Sequence, residues 1–528
     1  MSLKFELDKV SLNLLALPAN ARYFAGITRG VERESLRVNE DTAALSQKDH
    51  PQALGSALTH PSITTDFSEA LIELVTPPVK SLAELEQSLD SLHRFSYHHL
   101  DHELLWPASM PGLIEDQNDI RLAHFGCSNI AKMKNIYRRG LCHRYGRMMQ
   151  VIAGIHYNFS LPTELFAAWH ASSSTTESLR EFTDAAYFKL MRNYFRHYWL
   201  LIYLFGASPV CSASSLPAKV PDYLEPLDEH NYYAPYGTSL RMSDLGYNNS
   251  SQASIWISRD NIAAYVKDLL AATNEPYPDY AKIGLRNEQG EYRQLNTNLL
   301  QIENEYYSPI RPKQVIRSGE RPALALQDRG VEYIEVRCLD VNPFSPVGID
   351  IEAAAFIDVF LVFCLLADST KLSKTECAEK THNLHKIILE GRRPDLSLEH
   401  LGKTVPMREW ADSLFTEFHK IAAIMDSGVD KPVFVKAVQT QYGKIIDSSQ
   451  TPSAQILALL NDKQQSYQQA MLDIARQYAA DFTKKPLSAS LQQKLSQQAA
   501  QSWIEQQKIE QGDALSFEQF LEQYFAQH

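Results

Sequence analysis

The sequence predicts an α+β protein, and three features of the 528-residue chain indicate this class. Several segments have the two-residue alternation of β-strands. Others repeat apolar residues at the three- and four-residue spacing of helices. The C-terminal region has a helical pattern and is rich in glutamine. With 44% hydrophobic and 10% aromatic residues, the chain has enough apolar material for a large core, which excludes disorder as its default state.

Strand alternation is found in five segments, at residues 30–38, 68–76, 154–161, 295–307 and 330–339. Residues two apart on a strand point to the same side, so each segment has one polar face and one apolar face. The residues predicted to share a polar face are Glu32 with Glu34; Glu69 with Glu73; His156 with Asn158 and Ser160; Gln301 with Glu303, Glu305 and Tyr307; and Tyr333 with Glu335 and Arg337.

Two helices are predicted before the C-terminal region. The first follows Ser81 and Glu84, which have the spacing of a capping box, and carries one apolar stripe from Leu82 to Phe95. The second covers residues 176–205 and ends at Gly206. About twenty of the last 90 residues are glutamine, with Leu, Ala and Ile at helical spacing between them. We therefore predict one large unit over residues 1–370 and a helical accessory region, packed on it, over residues 371–528.

Composition argues against nucleic-acid and membrane partners. Lys and Arg number 51 against 63 Asp and Glu, a formal charge of -12, so no basic footprint is present. The uncharged stretch after Tyr198 is interrupted at Gly206 and Pro209, well short of the roughly 20 apolar residues that a spanning helix needs. The six cysteines form no CxxC pair, and charged residues interrupt the apolar N-terminus, so we expect a cytoplasmic protein without a signal peptide.

The polar strand faces carry the predicted chemistry. Each face alone is also typical of an ordinary strand with one solvated side, but such a side usually includes Lys, Thr and Ser, whereas these hold Glu, His, Arg and Tyr. Two carboxylates two residues apart lie roughly 7 Å from each other and repel by about 2 kcal/mol at an effective dielectric constant of about 20. Acids gathered on one sheet surface therefore need cations or raised pKa values. Oxygen ligands with one imidazole favour Mg²⁺ or Mn²⁺, and Arg241 and Arg337 would complement phosphate or carboxylate oxygens.

Other apparent motifs give no support to different functions. Gly402, Lys403 and Thr404 resemble the end of a phosphate-binding P-loop, but position 397 is Ser where the first glycine should be. His98 and His102 have the spacing of helical zinc ligands, but position 99 is His rather than the catalytic Glu of a metalloprotease. The sequence contains no GxGxxG, so a dinucleotide-binding fold is not indicated.

Eight segments together resemble bacterial glutamate–cysteine ligases (γ-glutamylcysteine synthetases) in order and spacing. They are GVERESLRV, ALGSALTHPSITTDFSEALIELVTP, YRRGLCHRYG, GIHYNFSLP, YLFGASP, TSLRMSDLGY, QIENEYYSPIRPK and GVEYIEVRCLDVNPFSP. The resemblance implies ATP-dependent amide formation between the γ-carboxylate of L-glutamate and the amine of L-cysteine, the first step of glutathione synthesis. It also implies a mostly antiparallel sheet curved into an open funnel and backed by helices, similar to the catalytic sheet of glutamine synthetase. Feedback inhibition by glutathione is a further expectation.

The resemblance also assigns site residues. The metal ligands, for Mg²⁺ or Mn²⁺, are expected to be Glu32, Glu34, Asp66, Glu73, His156 and Glu335. Arg241 and Arg337 are expected near glutamate and the transferred phosphoryl group. The cysteine pocket is expected to contain Phe67, Tyr137, Arg138, Leu141, Gln150, Tyr247 and Tyr307.

Three alternatives stay open on sequence grounds. Paired carboxylates on a sheet would also serve a glycoside hydrolase, which needs no nucleotide. A metal-dependent binding protein without catalysis would use the same acids. Within the ligases, a different amine acceptor would fit the same residue types. The base that deprotonates the acceptor amine is not identified, although Asp66 is one candidate.

Overall fold

The computed structural model describes residues 7–216, 219–246, 252 and 255–527, and it confirms the predicted α+β class. The strands in these residues are β1 (Thr28–Asn39), β2 (Ile63–Thr65), β3 (Leu71–Val75), β4 (Glu103–Leu105), β5 (Ile155–Ser160), β6 (Val210–Ser212), β7 (Glu225–Pro226), β8 (Asn231–Tyr233), β9 (Ile310–Lys313), β10 (Tyr333–Leu339), β11 (Ser397–His400) and β12 (Lys403–Pro406). Seven of them form the main sheet, in the order β2-β3-β1-β5-β10-β9 with β4 also paired to β1. Every pairing in this sheet is antiparallel, as predicted.

Helices in the described residues account for most of the remaining chain. They are α1 (Lys9–Leu15), α2 (Pro18–Ala21), α3 (Leu82–Tyr97), α4 (Asn129–Tyr145), α5 (Thr163–Ser172), α6 (Leu179–His197), α7 (Trp199–Phe205), α8 (Ile262–Asn274), α9 (Pro278–Ile283), α10 (Pro322–Arg329), α11 (Ile351–Leu366), α12 (Lys374–Glu390), α13 (Met407–Ser427), α14 (Phe434–Ile446), α15 (Pro452–Lys463), α16 (Tyr467–Lys484), α17 (Ala489–Gly512) and α18 (Phe517–Phe525). None of these helices is both long and apolar enough to cross a bilayer.

The core lies behind the main sheet. Helix α11 is apolar on all sides and buried from Ala353 to Leu366, because it packs against α6, α13 and α14 as well as the sheet region. Apolar residues of the strands, such as Val31, Ile72 and Val336, point into this core. The opposite side of the sheet is left for polar residues, so the sheet separates an apolar core from a polar face.

Segment 295–307 is not a strand, so that prediction is wrong. It forms bends, an isolated bridge at Asn298 and a 3-10 helix at Glu303–Glu305. Local hydrogen bonds of side chains replace the main-chain hydrogen bonds between paired strands. The Leu295 amide donates to Oε1 of Gln301 at 2.9 Å, and Nδ2 of Asn296 donates to the Gln301 carbonyl at 2.9 Å. Such bonds compete with regular pairing, and the alternation of polar residues therefore did not indicate a strand here.

Three smaller predictions also need correction. Glu69 precedes β3 and its carboxylate accepts the amides of His50 and His124, so it does not share the sheet face with Glu73. The predicted helix 176–205 is two helices, α6 and α7, which meet at Tyr198. Ser81 precedes α3 but its side chain caps no amide, whereas Ser178 forms a complete capping box with Glu181.

The glutamine-rich region is helical, as α15 to α18, and it contacts the N-terminal part of the chain at several places. Helix α16 packs against α3 and β4, α17 against residues 52–54, and α18 against α4. These contacts agree with a helical region packed on the core. The boundary at residue 370 stays a prediction.

Candidate active site

A cavity of about 620 Å³ lies over the polar face of the main sheet. Its floor is formed by β1, β3, β5 and β10, and its walls by α4, by residues 302–307, and by the segment from β9 to α10. The sequence-predicted residues that line it are Glu32, Glu34, Asp66, Phe67, Glu73, Tyr137, Arg138, Leu141, Gln150, His156, Arg241, Tyr307, Glu335 and Arg337. Tyr247 lies outside the described residues. The structure therefore brings fourteen predicted residues from distant segments into one cavity.

Strand register brings the acids of the floor together. Glu34 on β1 lies directly opposite Glu73 on β3, and Glu32 lies opposite His156 on β5. Glu32, Glu73 and His156 each offer a ligand atom, and these atoms lie within 4.8 Å of one another. Nδ1 of His156 is 2.9 Å from Glu32, and its Nε2 is 3.8 Å from Glu34. Like charges opposite each other destabilise a sheet, so this arrangement is better explained by cation binding than by stability.

The electrostatics of the floor differ from one acid to the next. Burial raises the pKa of Glu73 well above its usual value, and the neighbouring charges of Glu32, Asp66 and Glu34 raise it further. Burial also raises the pKa of Glu34, although His156 opposes this. Burial opposes ionisation of Glu32 as well, but the hydrogen bond with His156 and the charges of His156 and Lys313 together leave its pKa lowered. At Glu73, burial and the neighbouring acids thus outweigh the opposing charge of Arg337.

Glu335 on β10 has the opposite environment. It is 1% exposed, and its carboxylate lies 3.3 Å from Nζ of Lys313 and 3.2 Å from Nη1 of Arg337. Burial would raise its pKa, but Lys313, Arg337 and His156 together hold the pKa well below its usual value. Arg311 lies directly opposite Glu335 on β9, so this end of the floor carries a cluster of cations. Cations in such a cluster suit the oxygens of a phosphate chain.

Arg241 is held in place by groups behind the floor. Its Nη2 donates to the Arg337 carbonyl at 3.0 Å, and Nη1 lies 3.9 Å from Asp340. The Asp340 carboxylate also accepts bonds from the Ser208 and Ser239 hydroxyls, at 2.6 and 2.9 Å. The guanidinium lies flat over Gly154, where a Cβ would be 2.1 Å from Nη2. Glycine at this position is therefore required for the observed position of Arg241.

Helix α4 forms one wall of the cavity through a single stripe. The residues that it contributes are Ile130, Met133, Lys134, Tyr137, Arg138 and Leu141, at the three- and four-residue spacing of one helix face. The helix begins after Ser128, whose side chain caps the Ala131 amide, and ends at Gly146, whose φ of +79° favours glycine. Arg138 lies 4.3 Å above the Phe125 ring and 3.5 Å from the Asp66 carboxylate.

Tyr307 and Gln150 meet at the far end of this wall. Nε2 of Gln150 donates to the Tyr307 hydroxyl at 3.0 Å, and the Tyr307 amide donates to Oε1 of Gln252 at 2.9 Å. Tyr145 packs edge-on against Tyr307 and donates its hydroxyl to Glu305 at 2.7 Å. The aromatic and polar groups around Tyr307 form a small cup next to Tyr137 and Leu141.

Sequence reasoning missed four cations of the cavity: Lys134, Arg311, Lys313 and Arg317. The helical spacing of residues 130–141 would have found Lys134, because it shares a face with Tyr137 and Arg138. Arg311 and Lys313 were harder to find, because Pro312 between them argues against a strand. Since β9 is the edge of the sheet, Pro312 is tolerated there.

Comparisons with known proteins find relatives of this chain over nearly its whole length. The family described as glutamate-cysteine ligase matches residues 12–387. The glutamate–cysteine ligase of Pseudomonas putida strain W619 is 46% identical over 519 residues, which are 98% of this chain and 98% of that protein. The glutamate–cysteine ligase of Alcanivorax borkumensis strain SK2 is 45% identical over 509 residues, 96% of this chain and 97% of that protein.

Two solved structures extend the comparison. A crystal structure of glutamate–cysteine ligase from Francisella tularensis in complex with AMP has a TM-score of 0.89 at 43% identity, covering 94% of this chain and 97% of that one. A bifunctional glutathione synthetase from Pasteurella multocida has a TM-score of 0.71 at 25% identity, covering 92% of this chain and 56% of that one. The chain therefore belongs to the glutamate–cysteine ligase family, and the enzyme class predicted from its motifs is confirmed.

Proposed function

We propose that the cavity joins L-glutamate to L-cysteine through a γ-glutamyl phosphate made from ATP. The observation that carries this proposal is the division of the sheet floor into an acidic part, around Glu73, and a cationic part, around Glu335. A carboxylate is a poor acylating agent, so a phosphate leaving group must be installed before the amine attacks. An acidic region for divalent ions beside cations for phosphates is what such a transfer requires.

Glu32, Glu73 and His156 fit a divalent cation such as Mg²⁺ or Mn²⁺. Their ligand atoms lie within 4.8 Å of one another, and burial with the neighbouring acids raises the pKa of Glu73, which a bound cation would oppose. We assign Glu34, Asp66 and Glu335 to the same role, as the family resemblance implies. When bound, the ions would offset the charge of the phosphates and help to align the phosphoryl group.

Arg241 and Arg337 are assigned to the transferred phosphoryl group and to glutamate. Arg337 lies between the acidic and cationic parts of the floor, next to Glu335. Arg241 is fixed by Asp340 and by its bond to the Arg337 carbonyl, so its guanidinium is preorganised. Preorganised donors stabilise charge that develops in the transition state more than charge of the ground state.

We assign two parts of the cavity, the wall formed by α4 and the cup around Tyr307, to binding of L-cysteine, the amine acceptor. Phe67, Tyr137 and Leu141 would contact the small thiol side chain, and Arg138 would bind the carboxylate of cysteine. Gln150 and Tyr307 close the cup through their mutual hydrogen bond. The cysteine amine then attacks the acyl carbon, and phosphate leaves.

Two further properties are proposed with this function. All six cysteines are free thiols, which supports a reducing compartment such as the cytoplasm. Glutathione contains the skeletons of both amino-acid substrates, which supports feedback inhibition at the same cavity.

The test is the reaction itself. Purified protein with ATP, Mg²⁺, L-glutamate and L-cysteine should release phosphate and form γ-glutamylcysteine, and phosphate release should need all three substrates. Single-turnover trapping of γ-glutamyl phosphate separates a ligase from a binding protein. Hydrolysis of a glycoside without ATP would instead support the glycosidase alternative. The values of kcat/KM for cysteine, serine, α-aminobutyrate and ammonia then identify the acceptor.

The variant Glu335→Gln tests the role of one carboxylate of the cavity floor. Removing this charge leaves Lys313 and Arg337 without their shared partner, so we expect kcat to fall by about 10²-fold or more with the fold retained. Glu332→Gln, an exposed position just before β10, is the control and should keep wild-type activity. Near-normal turnover of Glu335→Gln would remove this residue from the site.

A further inference from the structure

The last helix, α18, forms part of the cavity through Tyr524. This side chain is 7% exposed and lines the cavity. It belongs to an apolar cluster with Met133 and Ile136 of α4 and Leu521 of its own helix, and Tyr137 packs against the same cluster. The C-terminal helix therefore supports the wall that carries Tyr137 and Arg138.

Gln527, two residues beyond α18, contacts the opposite wall. Its Nε2 donates to the Gly319 carbonyl at 2.8 Å, and its Oε1 accepts the Arg321 amide at 3.3 Å. Its main-chain carbonyl accepts from Nη1 of Arg321 at 3.4 Å. Gly319 and its neighbour Glu320 line the cavity. One glutamine side chain thus bonds both a donor and an acceptor of the same loop.

Residues 315–318 of this loop are exposed and lie beside the proposed phosphate-binding cations, whereas the end of the loop is also held by ion pairs of Glu320 with Arg329 and of Arg321 with Glu303. The loop follows β9, which carries Arg311 and Lys313, and it leads into α10. Val315 and Ile316 in the loop are 67% and 52% exposed, so little apolar packing holds them. Few buried contacts allow a segment to move, and a moving loop would not keep a fixed position relative to Lys313.

We propose that Gln527 and Tyr524 are positioning residues of the ligase reaction, with Gln527 fixing residues 317–321 on the nucleotide side and Tyr524 fixing the acceptor side of α4. This inference rests on the proposed function, because it takes the cations of β9 as the phosphate site and α4 as the acceptor wall. The glutamine-rich C-terminal region then has a role in the active site, at both of its walls.

The first experiment compares Gln527→Ala with Gln523→Ala in the full-length protein. Gln523 is an exposed glutamine of α18, four residues before Gln527, and makes the matched control. We expect Gln527→Ala to raise KM for ATP by about fivefold or more, with KM for cysteine within about twofold of wild type, because only the nucleotide-side loop is released. Gln527→Glu, which keeps the acceptor for the Arg321 amide but loses the donor to Gly319, should lie in between. Equal kinetics for Gln527→Ala and Gln523→Ala would overturn the role of Gln527.

The second experiment measures the loop without substrate. Trypsin should cut after the exposed Arg317 about threefold faster or more in Gln527→Ala than in Gln523→Ala, since cleavage follows local opening. Equal cleavage rates in the two variants would contradict the proposal that Gln527 holds residues 317–321 in place. This measurement does not depend on activity. Wild-type protein that makes no γ-glutamylcysteine would contradict the proposed function, but the cleavage rate after Arg317 would still test whether Gln527 holds the loop.

The third experiment addresses the acceptor side. Tyr524→Leu keeps an apolar side chain of smaller size against Met133 and Ile136. We expect KM for cysteine to rise by about fivefold or more while KM for ATP changes by less than about twofold, the reverse of Gln527→Ala. A change in KM for ATP alone, or kinetics equal to Gln523→Ala, would overturn the role of Tyr524. Thermal melting of each variant shows whether it is folded.

Discussion

At the residue scale, the site is built from charges that the sheet cannot neutralise by itself. Glu34 on β1 lies opposite Glu73 on β3. Glu32 lies two residues before Glu34 on the same face of β1, and its carboxylate is close to that of Glu73. A protein selected only for stability would avoid this arrangement, because it sets buried and half-buried acids of the same sign beside one another. The cost is consistent with a cation site, which is the role proposed for these residues.

Arg337→Ala tests whether charge stabilisation acts in the transition state. We expect kcat to fall by about 10²- to 10³-fold, with a smaller change in KM for ATP, because charge on the transferred phosphoryl group is greatest at the transition state. Arg337→Lys, which keeps the charge but loses the planar fork, should be intermediate. Steady-state kinetics with varied ATP measure both constants. An unchanged kcat with a raised KM would contradict this role.

Gly154→Ala tests the preorganisation of Arg241. The added methyl group would lie 2.1 Å from Nη2 of Arg241, so the guanidinium must move. A displacement of about 1 Å in a catalytic group costs about 10²-fold, and we expect a loss of kcat of that order. Gly30→Ala is the control in the same sheet, since its methyl group would meet the Asn158 Cβ at an ordinary 3.6 Å. Equal activity of the two variants at equal melting temperature would contradict this account of Arg241.

At the element scale, the sequence predicts those elements whose pattern reflects burial on one side. Strands β1, β3, β5 and β10 and helix α3 follow from such patterns, because each has one face on the core. Segment 295–307 has the same alternation, but its acids bind Arg144 and Arg321, which are distant in sequence. The edge strand β9 was missed because Pro312 weakens the strand pattern. Patterns thus fail where long-range partners decide the local conformation.

Helix α3 also carries a histidine that should make the protein sensitive to acid. Burial, with the charge of Arg33, lowers the pKa of His93 to about 3, whereas an unfolded histidine has a pKa of about 6.5. Below about pH 6.5 the unfolded chain binds a proton that the folded chain does not, so stability falls with pH down to about pH 3. His93→Gln removes this effect. Its unfolding free energy should therefore fall by about 2 kcal/mol less than that of wild type between pH 7 and pH 5.

Urea denaturation at both pH values measures this difference. His98→Gln is the control, because His98 follows the same helix but is exposed in the folded protein. A pH dependence of His93→Gln equal to that of wild type would show that His93 does not contribute to acid sensitivity.

At the scale of the whole molecule, the cavity depends on parts of the chain that are far apart in sequence. Its floor comes from β1, β3, β5 and β10 and one wall from α4, while Tyr524 and Gln527 near the C-terminus contact its two walls. The relatives match this chain over 96–98% of its length, which includes most of the region after residue 370. The C-terminal region is thus shared with relatives and in contact with the site.

Removal of the metal tests the molecule as a whole. Mg²⁺ that binds only the folded cavity should stabilise it by about 2.7 kcal/mol at a hundredfold excess over Kd, and EDTA should reverse this and abolish ligation. In the double variant Glu32→Gln/Glu73→Gln the stabilisation should disappear, because two of the three clustered ligands are lost. The exposed pair Glu86→Gln/Glu332→Gln is the control. Denaturation with and without Mg²⁺ measures the effect, and an equal response of both double variants would contradict the assigned cluster.

The sequence by itself determined the α+β class, the antiparallel sheet with its acidic face, the family, and fourteen residues that line one cavity. These follow from local patterns and from motifs, because alternation along a strand depends on which side is buried. Only the tertiary structure decided which acids are neutralised, that Lys134, Arg311, Lys313 and Arg317 join the site, and that Tyr524 and Gln527 near the C-terminus contact its two walls. Strand order, register and long-range packing set these distances, and no spacing along the chain records them.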